Sequence, residues 1–321
     1  MKADEKVSAG KSELRNSLES FILRSVRFYT SNTPIKRGRG RIFQAAHNLC
    51  ANIPRRERIL TKFGFPLVIT YSKNVNDSTY FLGEYEPGLS AVVAAVLRPG
   101  DTCLDVGANF GWYSLLFSHI VGASGEVHAF EPVPATFRQL TENASLLGPD
   151  SKLQINNLAL GEEEKEITIN TFPALGHGYS SMSDLGRADA VPVVCQMTTF
   201  DEYRRSNLPD REVDFVKADI EGAELLFFQG AASLFTQSRP PIMMIEMSAE
   251  LDRGFGYTPN DLLDLIESQA AYLFYKADEI KGTLIPFDRF TRSEMANVFC
   301  FPKVGFEDRR EALVGKFIKD V

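Results

Sequence analysis

The chain has 321 residues, of which 44% are hydrophobic and 24% are charged, so it can bury one large core together with an appended segment. The net charge of −7 combines +9 over residues 1–62 with −16 over residues 63–321, which disfavours nucleic-acid binding by the main domain. No stretch approaches the roughly 18 apolar residues of a membrane span, and the N-terminus lacks the apolar region of a signal peptide, so we expect a cytoplasmic protein.

Residues 1–62 are predicted to form a polar tail followed by a helical extension. From Ser12, apolar side chains recur every three to four residues, which indicates an amphipathic helix, and a second helix is predicted over Arg41–Asn52. The basic run Lys36-Arg37-Gly-Arg39-Gly-Arg41 could meet a phosphate, a membrane surface or another anionic partner, or could be a solvated linker. We assign the extension no chemistry.

Residues 63–305 are predicted to form one α/β domain, and residues 306–321 a C-terminal tail. A short strand over Phe65–Tyr71 and a helix over Ser90–Leu97 precede a regular alternation of buried strands and amphipathic helices. The central strands are predicted at Asp101–Val106, Glu126–Phe130, Leu153–Leu160, Val213–Ala218, Ile242–Glu246, Tyr272–Lys276 and Asn297–Phe301. The helices between them include Trp112–Ile120, Ala135–Leu147, Ala223–Phe235 and Pro259–Gln269. This pattern predicts a seven-stranded, mostly parallel sheet with helices on both faces.

An insertion separates the third and fourth central strands. Glu166–Asn170 and Val191–Cys195 are predicted to be extra strands around a polar loop over Pro173–Gly186. Long polar loops of this kind either close over an active site or are plain surface loops, and both interpretations are kept.

The first motif with chemical content follows the first central strand. The segment Asp105-Val-Gly-Ala-Asn-Phe-Gly111 ends a buried strand with a carboxylate and enters a helix through a glycine turn, so the backbone can approach a ligand closely. The next strand ends in Glu131, whose carboxylate can accept hydrogen bonds from both hydroxyls of a ribose. A dinucleotide site needs a second glycine where this chain has Asn109, so a pyrophosphate is disfavoured. Asp105 suits a cationic or amino-bearing ligand better than a phosphate.

A second motif ends the fourth central strand with three carboxylates around a glycine turn. It reads Lys217-Ala-Asp219-Ile-Glu221-Gly222-Ala-Glu224, and the following strand ends in Glu246. Because the carboxyl ends of parallel strands meet at one edge of a sheet, Asp219 should lie near Gly107 and Glu131. Such carboxylates could bind a divalent cation, act as acid and base, or hold an ammonium group, and a plain surface charge cluster is the alternative.

Together with Phe130-Glu131-Pro132 and Leu158-Ala159-Leu160-Gly161, these motifs resemble the FkbM family of S-adenosylmethionine-dependent methyltransferases. The likeness covers about residues 80–250 and includes Gly83-Glu-Tyr85-Glu86 and Thr199-Phe200-Asp201, where Phe200 replaces the more usual leucine. It implies a class I methyltransferase (Rossmann-like) fold and S-adenosylmethionine as cofactor. It also implies, commonly, O-methylation of a hydroxyl on a sugar, glycan or natural product.

The resemblance carries donor-binding roles to the positions of this chain that match the family motifs. These positions are Tyr85, Asp105, Gly107, Ala108, Asn109, Gly111, Glu131, Pro132, Ala159, Leu160 and Asp219. By this likeness, Asp105, Gly107 and Asn109 line the methionine part of the donor. Glu131 holds its ribose, and the pair Ala159-Leu160 flanks its adenine.

Methyl transfer to a hydroxyl also needs a base that removes the hydroxyl proton. The candidates are Asp219, which faces the amino acid end of the donor or the acceptor, Glu246, and His177 of the inserted loop, whose residue type has a suitable ordinary pKa. No metal ligand is assigned. If a divalent metal were used, which is not expected, Asp219 and Glu246 would be its ligands by analogy with metal-dependent O-methyltransferases. The expected partner is a hydroxyl-bearing small molecule or glycan, and the sequence assigns no oligomeric state.

Two other classes of function stay open. A nicotinamide-dependent oxidoreductase would share the strand order and Glu131, but it should carry the extra glycine and a hydride-transfer site, which we do not find. A non-catalytic methyltransferase-like module would instead bind a partner through the basic N-terminal segment. Thermal shift measurements with the two cofactors would separate an oxidoreductase from a methyltransferase. Loss of donor binding with retained partner pull-down would favour the binding module.

Overall fold

The computed structural model describes residues 21–30, 42, 45, 55–71, 77–172, 180–181, 190–249 and 252–319. The chain divides into two compact units, residues 1–85 and residues 86–321. The helix predicted from Ser12 is helical over residues 21–30. Most of the helix predicted over Arg41–Asn52, and the whole basic run Lys36–Arg41, lie outside the described residues. Our division of the chain at residues 62 and 305 stays a prediction.

The first unit contains a two-stranded antiparallel ribbon and a short helix. Its elements are β1 Arg55–Leu60, β2 Pro66–Tyr71 and α1 Asp77–Leu82. Alternate side chains of the ribbon, among them Ile59 and Leu67, are buried, while Leu60 is exposed. The strand predicted over Phe65–Tyr71 is confirmed as β2, and its partner β1 was not predicted.

The second unit contains the remaining strands and helices. The strands are β3 Thr102–Val106, β4 Glu126–Phe130, β5 Leu153–Asn156, β6 Ala159–Leu160, β7 Lys165–Thr171, β8 Ser180–Ser181, β9 Val191–Thr198, β10 Phe215–Ala218, β11 Ile242–Ser248, β12 Tyr272–Ala277, β13 Leu284–Phe287 and β14 Met295–Pro302. The helices are α2 Pro87–Val96, α3 Trp112–Val121, α4 Pro134–Ala144, α5 Phe200–Asn207, α6 Glu224–Gln229, α7 Ser233–Thr236, α8 Pro259–Gln269 and α9 Glu307–Glu311.

The main sheet, counted over the described residues, has eight strands in the order β13-β12-β14-β11-β10-β3-β4-β5. The pairs from β11 to β5 are parallel, and β14 is antiparallel to both of its neighbours. The Rossmann-like fold class is therefore confirmed, and each predicted central strand contributes to this sheet. The additional strand β13 contains Pro286 and lies at the sheet edge, where a proline costs no ladder hydrogen bond.

Helices pack on both faces of the sheet. Neighbouring residues of each strand point to opposite faces, so each face supplies side chains that pack against helices. On one face, Phe215 of β10 contacts Phe117 of α3, with ring centroids 5.4 Å apart. On the other face, Val216 belongs to a core that includes Phe227 of α6 and Leu262 of α8. All positions of β3 and β10 are buried, as expected for central strands of a doubly covered sheet.

The insertion forms a second sheet with the strand order β6-β9-β7-β8. The extra strands predicted at Glu166–Asn170 and Val191–Cys195 are confirmed as β7 and β9, which pair antiparallel. The single strand predicted over Leu153–Leu160 was wrong, because β5 and β6 belong to different sheets. Between them, Asn157 Nδ2 donates hydrogen bonds to the carbonyl oxygens of Glu131 and Pro132, both at 2.8 Å, and this turns the chain.

The helix predicted over Ala223–Phe235 is divided into α6 and α7. The break falls at Gly230, where an added Cβ would lie 2.0 Å from the carbonyl oxygen of Gly161. By contrast, the start of α8 is as predicted, because Thr258 and Asp261 form a reciprocal capping box.

The C-terminal residues pack into the second unit. Arg309 of α9 donates two hydrogen bonds to the carboxylate of Asp101, at 2.6 and 2.8 Å, and both side chains are buried. Bidentate pairs of this kind are strong and geometrically specific. Among the described residues, no helix is both long enough and apolar enough to cross a membrane.

Candidate active site

The loops that follow β3 and β10 touch at the carboxyl edge of the main sheet. Gly107 has a φ of 80°, and an added Cβ would lie 1.9 Å from the carbonyl oxygen of Asp219. The backbone N–H of Asp219 in turn donates to the carbonyl oxygen of Val106 at 3.1 Å. Only glycine fits this crossing, so the two sequence motifs are brought together by direct backbone contact.

The buried carboxylate of Glu131 lies against the glycine loop. It accepts hydrogen bonds from the backbone N–H groups of Asn109, at 3.0 Å, and Val133, at 2.9 Å. Asn109 has a left-handed φ of 51°, which asparagine tolerates better than most residues. Burial raises the pKa of Glu131 to about 7, against the lowering effect of the two N–H donors. The carboxylate oxygens keep further lone pairs for a ligand.

Asp105 lies beneath the loop and is fully buried. One carboxylate oxygen accepts a hydrogen bond of 2.5 Å from Ser114 Oγ. Within the described part of the chain the other oxygen accepts no hydrogen bond, and it lies 3.7 Å from the ammonium of Lys217. Burial raises the pKa of Asp105, partly offset by Lys217 and Ser114. The loop therefore rests on a carboxylate whose hydrogen-bonding capacity is only partly used.

Lys217 is a buried cation at the centre of the site, and the sequence analysis did not single it out. Its ammonium lies 3.2 Å from the carboxylate of Asp219 and donates to the carbonyl oxygen of Gly107 at 2.9 Å. It also lies 5.6 Å from the ring centroid of Tyr113. Burial lowers the pKa of Lys217, but Asp219, Asp105 and Glu86 raise it by more, so the lysine stays protonated. A lysine inside the otherwise apolar strand β10 was the available signal.

Among the described residues around this lysine, carboxylates outnumber cations. Glu86 accepts a hydrogen bond of 2.7 Å from the hydroxyl of Tyr113, and both Glu86 and Glu221 have left-handed φ values, of 43° and 57°. Burial, followed by the charge of Asp219, raises the pKa of Glu86 and of Glu221 to about 7. The same two causes, in the same order, raise the pKa of Glu246 to about 10. These raised pKa values show that the site would favour an added positive charge.

Glu224, the last carboxylate of the second motif, is buried inside the turn and stabilises its backbone by hydrogen bonding. It is buried and accepts a hydrogen bond of 2.8 Å from the backbone N–H of Ile220. The hydroxyl of Tyr257 donates to the nearby carbonyl oxygen of Gly222 at 2.8 Å. Glu224 therefore orders the loop that carries Asp219, whose own side chain is 32% exposed.

The other residues predicted to contact the donor occupy varied places. Ala108, Ala159 and Leu160 are buried, and Leu160 belongs to the core that contains Phe130. Pro132 is half-buried beside Glu131, and an added Cβ at Gly111 would lie 2.7 Å from Leu140 Cδ1. Tyr85 is the last residue of the first unit, so its role stays a prediction.

Two further predictions concern His177 and a metal. His177 lies outside the described residues, as does most of the loop predicted over Pro173–Gly186. Within the described ranges, no group of three or more His, Cys, Asp or Glu side chains has the arrangement of metal ligands. Asp219 and Glu246 interact electrostatically, because the charge of Asp219 acts on the pKa of Glu246.

Comparisons with known proteins agree with the sequence motifs. Residues 105–274 match the family model of the methyltransferase FkbM domain. Over 48 residues the chain is 52% identical to the 31-O-demethyl-FK506 methyltransferase FkbM of Streptomyces tacrolimicus, covering 15% of this chain and 18% of that relative. It is 27% identical over 167 residues to the hexuronic acid methyltransferase AglP of Haloferax volcanii, covering 52% and 61% of the two chains. The matches thus span less than two thirds of these curated relatives.

A solved structure of methyltransferase FkbM from Methylobacillus flagellatus KT aligns with 16% identity and a TM-score of 0.40, covering 70% of this chain and 52% of that one. The family model, by contrast, extends over more than half of this chain and includes the glycine loop, Glu131 and the carboxylate motif. The chain therefore belongs to the FkbM methyltransferase domain family.

Proposed function

We propose that this chain is an S-adenosylmethionine-dependent methyltransferase that methylates a hydroxyl of a sugar, glycan or other natural product. The observation that carries the proposal is the backbone contact between Gly107 and Asp219. This contact joins the glycine loop after β3 to the carboxylate-rich turn after β10 at the carboxyl edge of the sheet. Ligands of open α/β sheets bind at this edge. Membership of the FkbM domain family supports the same reaction class.

The residues at this edge fit the donor chemically. S-adenosylmethionine carries a positive ammonium and a positive sulfonium, and Glu86 and Glu221 have pKa values raised to about 7 in the absence of such charges. The buried Asp105 carboxylate has an oxygen that accepts no hydrogen bond from any described residue. Glu131 offers the acceptor oxygens that a ribose requires.

The proposed mechanism assigns separate tasks to these side chains. When bound, S-adenosylmethionine would supply an electrophilic methyl group to the acceptor oxygen. Glu131 and the Gly107 loop would orient the donor, and alignment of the reacting atoms can account for much of the rate enhancement. Lys217 would hold the Asp219 carboxylate in place through the 3.2 Å contact.

Removal of the acceptor proton is assigned to Asp219. Glu246 has a pKa raised to about 10, so at neutral pH it would donate a hydrogen bond rather than take a proton. The side chain of Asp219 is partly exposed, which would let an acceptor hydroxyl reach it. His177 remains an additional candidate from the loop.

The acceptor class is inferred from the relatives. One relative is named for a 31-O-demethyl-FK506 substrate and the other for a hexuronic acid. Both names describe oxygen-rich acceptors, which favours a sugar or natural-product hydroxyl here. Transfer of a labelled methyl group to the compounds of a cell extract, followed by identification of the labelled product, would test this part. A label found only on nitrogen or carbon would contradict it.

Donor binding is tested by isothermal titration with S-adenosylhomocysteine. Glu131→Gln should weaken binding about tenfold, because a charged hydrogen-bond acceptor for the ribose is lost. Glu126→Gln, at the opposite end of β4, serves as the matched control and should leave the affinity unchanged. Thermal unfolding without ligand would check that both variants fold. Equal affinity of Glu131→Gln and wild type would refute the ribose assignment.

A thermal shift by nicotinamide cofactors, with none by S-adenosylhomocysteine, would refute the reaction class and favour the oxidoreductase alternative. Absence of donor binding combined with retained capture of a partner would favour the non-catalytic module.

A further inference from the structure

The first unit contains a cleft of about 810 Å³ whose described lining is strongly basic. The helical segment 21–30 and strand β1 form its walls. Its charged lining residues are Arg24, Arg27, Arg56, Arg58, Lys62 and Glu57. The described lining thus contains five cations and one carboxylate, and such an excess of positive charge attracts anions.

Part of this positive charge is already used inside the unit. Arg24 Nε lies 3.3 Å from Glu57, and the ammonium of Lys62 lies 2.7 Å from Glu84. Among the described lining residues, five cations stand against the single carboxylate of Glu57, so this lining carries a net positive charge.

Arg27 is the most informative residue of the cleft. Its guanidinium lies 5.7 Å from the ring centroid of Tyr80, and its Nε is buried without a hydrogen-bond acceptor among the described residues. A buried donor without a partner is costly, so its persistence points to a ligand that supplies the acceptor. Burial lowers the pKa of Arg27, which an anion in the cleft would reverse.

Arginine in a concave site is well suited to binding phosphate-type anions. Its planar guanidinium presents several donors in a fixed arrangement that suits phosphate oxygens. Arg56 and Arg58 are alternate residues of β1, so their side chains leave the ribbon on the same side. Glu57 lies between them and leaves β1 on the other side, so Arg56 and Arg58 form a pair of arginines on the side of β1 opposite to Glu57.

Two exposed apolar side chains also line the cleft. Phe28 is 72% exposed and Leu60 is 65% exposed. Exposed apolar groups beside basic ones are typical of surfaces that meet anionic lipids, although a soluble ester with an apolar part would use them equally.

We propose that this cleft of the first unit is a binding site for a phosphate-type oxyanion, presented either by a soluble phosphate ester or by a lipid headgroup. The cleft consists of residues of the first unit, whereas the methyl-transfer chemistry is assigned to residues of the second. A bound oxyanion would supply the acceptor that Arg27 Nε lacks among the described residues, and it would use the cations and apolar side chains of the lining.

The test uses the full chain and two probes. Inorganic pyrophosphate is titrated calorimetrically against a chloride control at equal ionic strength. Sedimentation with phosphatidylcholine vesicles is compared with and without phosphatidylglycerol. Binding of pyrophosphate indicates a soluble ester as the source, whereas binding only to the phosphatidylglycerol vesicles indicates a headgroup. Binding of neither probe overturns the proposal.

Three variants locate the binding. Arg27→Met keeps the apolar stem and should weaken binding about tenfold, since it removes charge-assisted hydrogen bonds. Arg58→Ala changes an exposed side chain and should weaken it roughly threefold without affecting folding, which keeps the test valid if Arg27→Met unfolds. Arg292→Ala removes an equally exposed arginine of the second unit and should have no effect. Equal loss in Arg58→Ala and Arg292→Ala would mean unspecific charge attraction and would overturn the proposal.

Discussion

Gly107→Ala is the substitution that most directly tests the crossing of the two loops of the candidate active site. The added methyl group would lie 1.9 Å from the carbonyl oxygen of Asp219 and 2.9 Å from its carbonyl carbon. Both neighbours are backbone atoms, which cannot rotate away as a side-chain tip can. Since carbon and oxygen normally approach to about 3.3 Å, the loop after β10 would have to move by roughly 1 Å or more.

The expected loss of stability has two parts. A non-glycine residue at a φ of 80° costs about 1 to 2 kcal/mol. Forcing extra volume into a packed region costs a further ~1 to 3 kcal/mol. Gly107→Ala should therefore lower the free energy of unfolding by about 2 to 5 kcal/mol. Because the Gly107 loop is proposed to line the donor, its displacement should also lower the affinity for S-adenosylhomocysteine at least about tenfold.

Urea unfolding and calorimetric titration measure these two quantities. Gly315→Ala is the matched control, because Gly315 has a φ of 77° and its added Cβ would meet nothing within 4 Å. It should show the conformational cost of about 1 to 2 kcal/mol and no change in donor affinity. If the two variants lost the same free energy of unfolding within about 0.5 kcal/mol, the backbone contact between Gly107 and Asp219 would be refuted.

Three further predictions follow from the charges. Donor binding should release protons and should strengthen as pH rises through 7, because Glu86 and Glu221 have pKa values raised to about 7. Calorimetric titration in buffers of different ionisation enthalpy measures this release. Binding heats that do not depend on the buffer would contradict the prediction. Lys217→Met should lower the free energy of unfolding by about 3 to 5 kcal/mol at pH 8. The loss should be smaller at pH 5.5, because the neighbouring carboxylates take up protons there. An equal loss at both pH values in urea titrations would contradict this prediction. Asp219→Asn should reduce kcat much more than it changes the affinity for S-adenosylhomocysteine, and an unchanged kcat would remove Asp219 as the base.

The main sheet was predictable from the sequence because its strands are short apolar runs bounded by turn residues. The predictions at Asp101–Val106 and Glu126–Phe130 agree with β3 and β4 to within one residue. Strand β1 could not be found in this way, since its sequence Arg-Arg-Glu-Arg-Ile-Leu is mostly charged. It is a strand because it pairs with β2, and pairing between segments is absent from a local pattern.

The division of the helix predicted over Ala223–Phe235 was missed for a similar reason, because it depends on a contact between distant segments. Apolar periodicity continues through Gly230, and an isolated glycine does not by itself end a helix. The break is required because Gly230 approaches the backbone of Gly161 too closely for any side chain. That contact joins the α6 region to the insertion, and the sequence contains no sign of it.

The meeting of the two motifs at one edge could be predicted, because parallel strands place their carboxyl ends together. For Lys217 the sequence offers one signal, a lysine inside an otherwise apolar strand, and it offers none for Glu86. Lys217 matters through its 3.2 Å and 3.7 Å distances to Asp219 and Asp105. Glu86 matters through its left-handed backbone and its hydrogen bond from Tyr113. These properties arise only when distant segments pack.

The position of Lys217 links two functions that the sequence presents as separate. One ammonium group pairs with the Asp219 carboxylate, proposed to accept the proton, and donates to the Gly107 carbonyl oxygen of the proposed donor loop. A positive ligand beside Asp219 would therefore weaken the ion pair between Asp219 and Lys217. The lysine would then interact relatively more strongly with the Gly107 carbonyl oxygen and with Asp105. With these proposed roles, donor binding and the state of the base would be coupled through one buried cation, and this would account for a lysine in a strand otherwise composed of buried apolar residues.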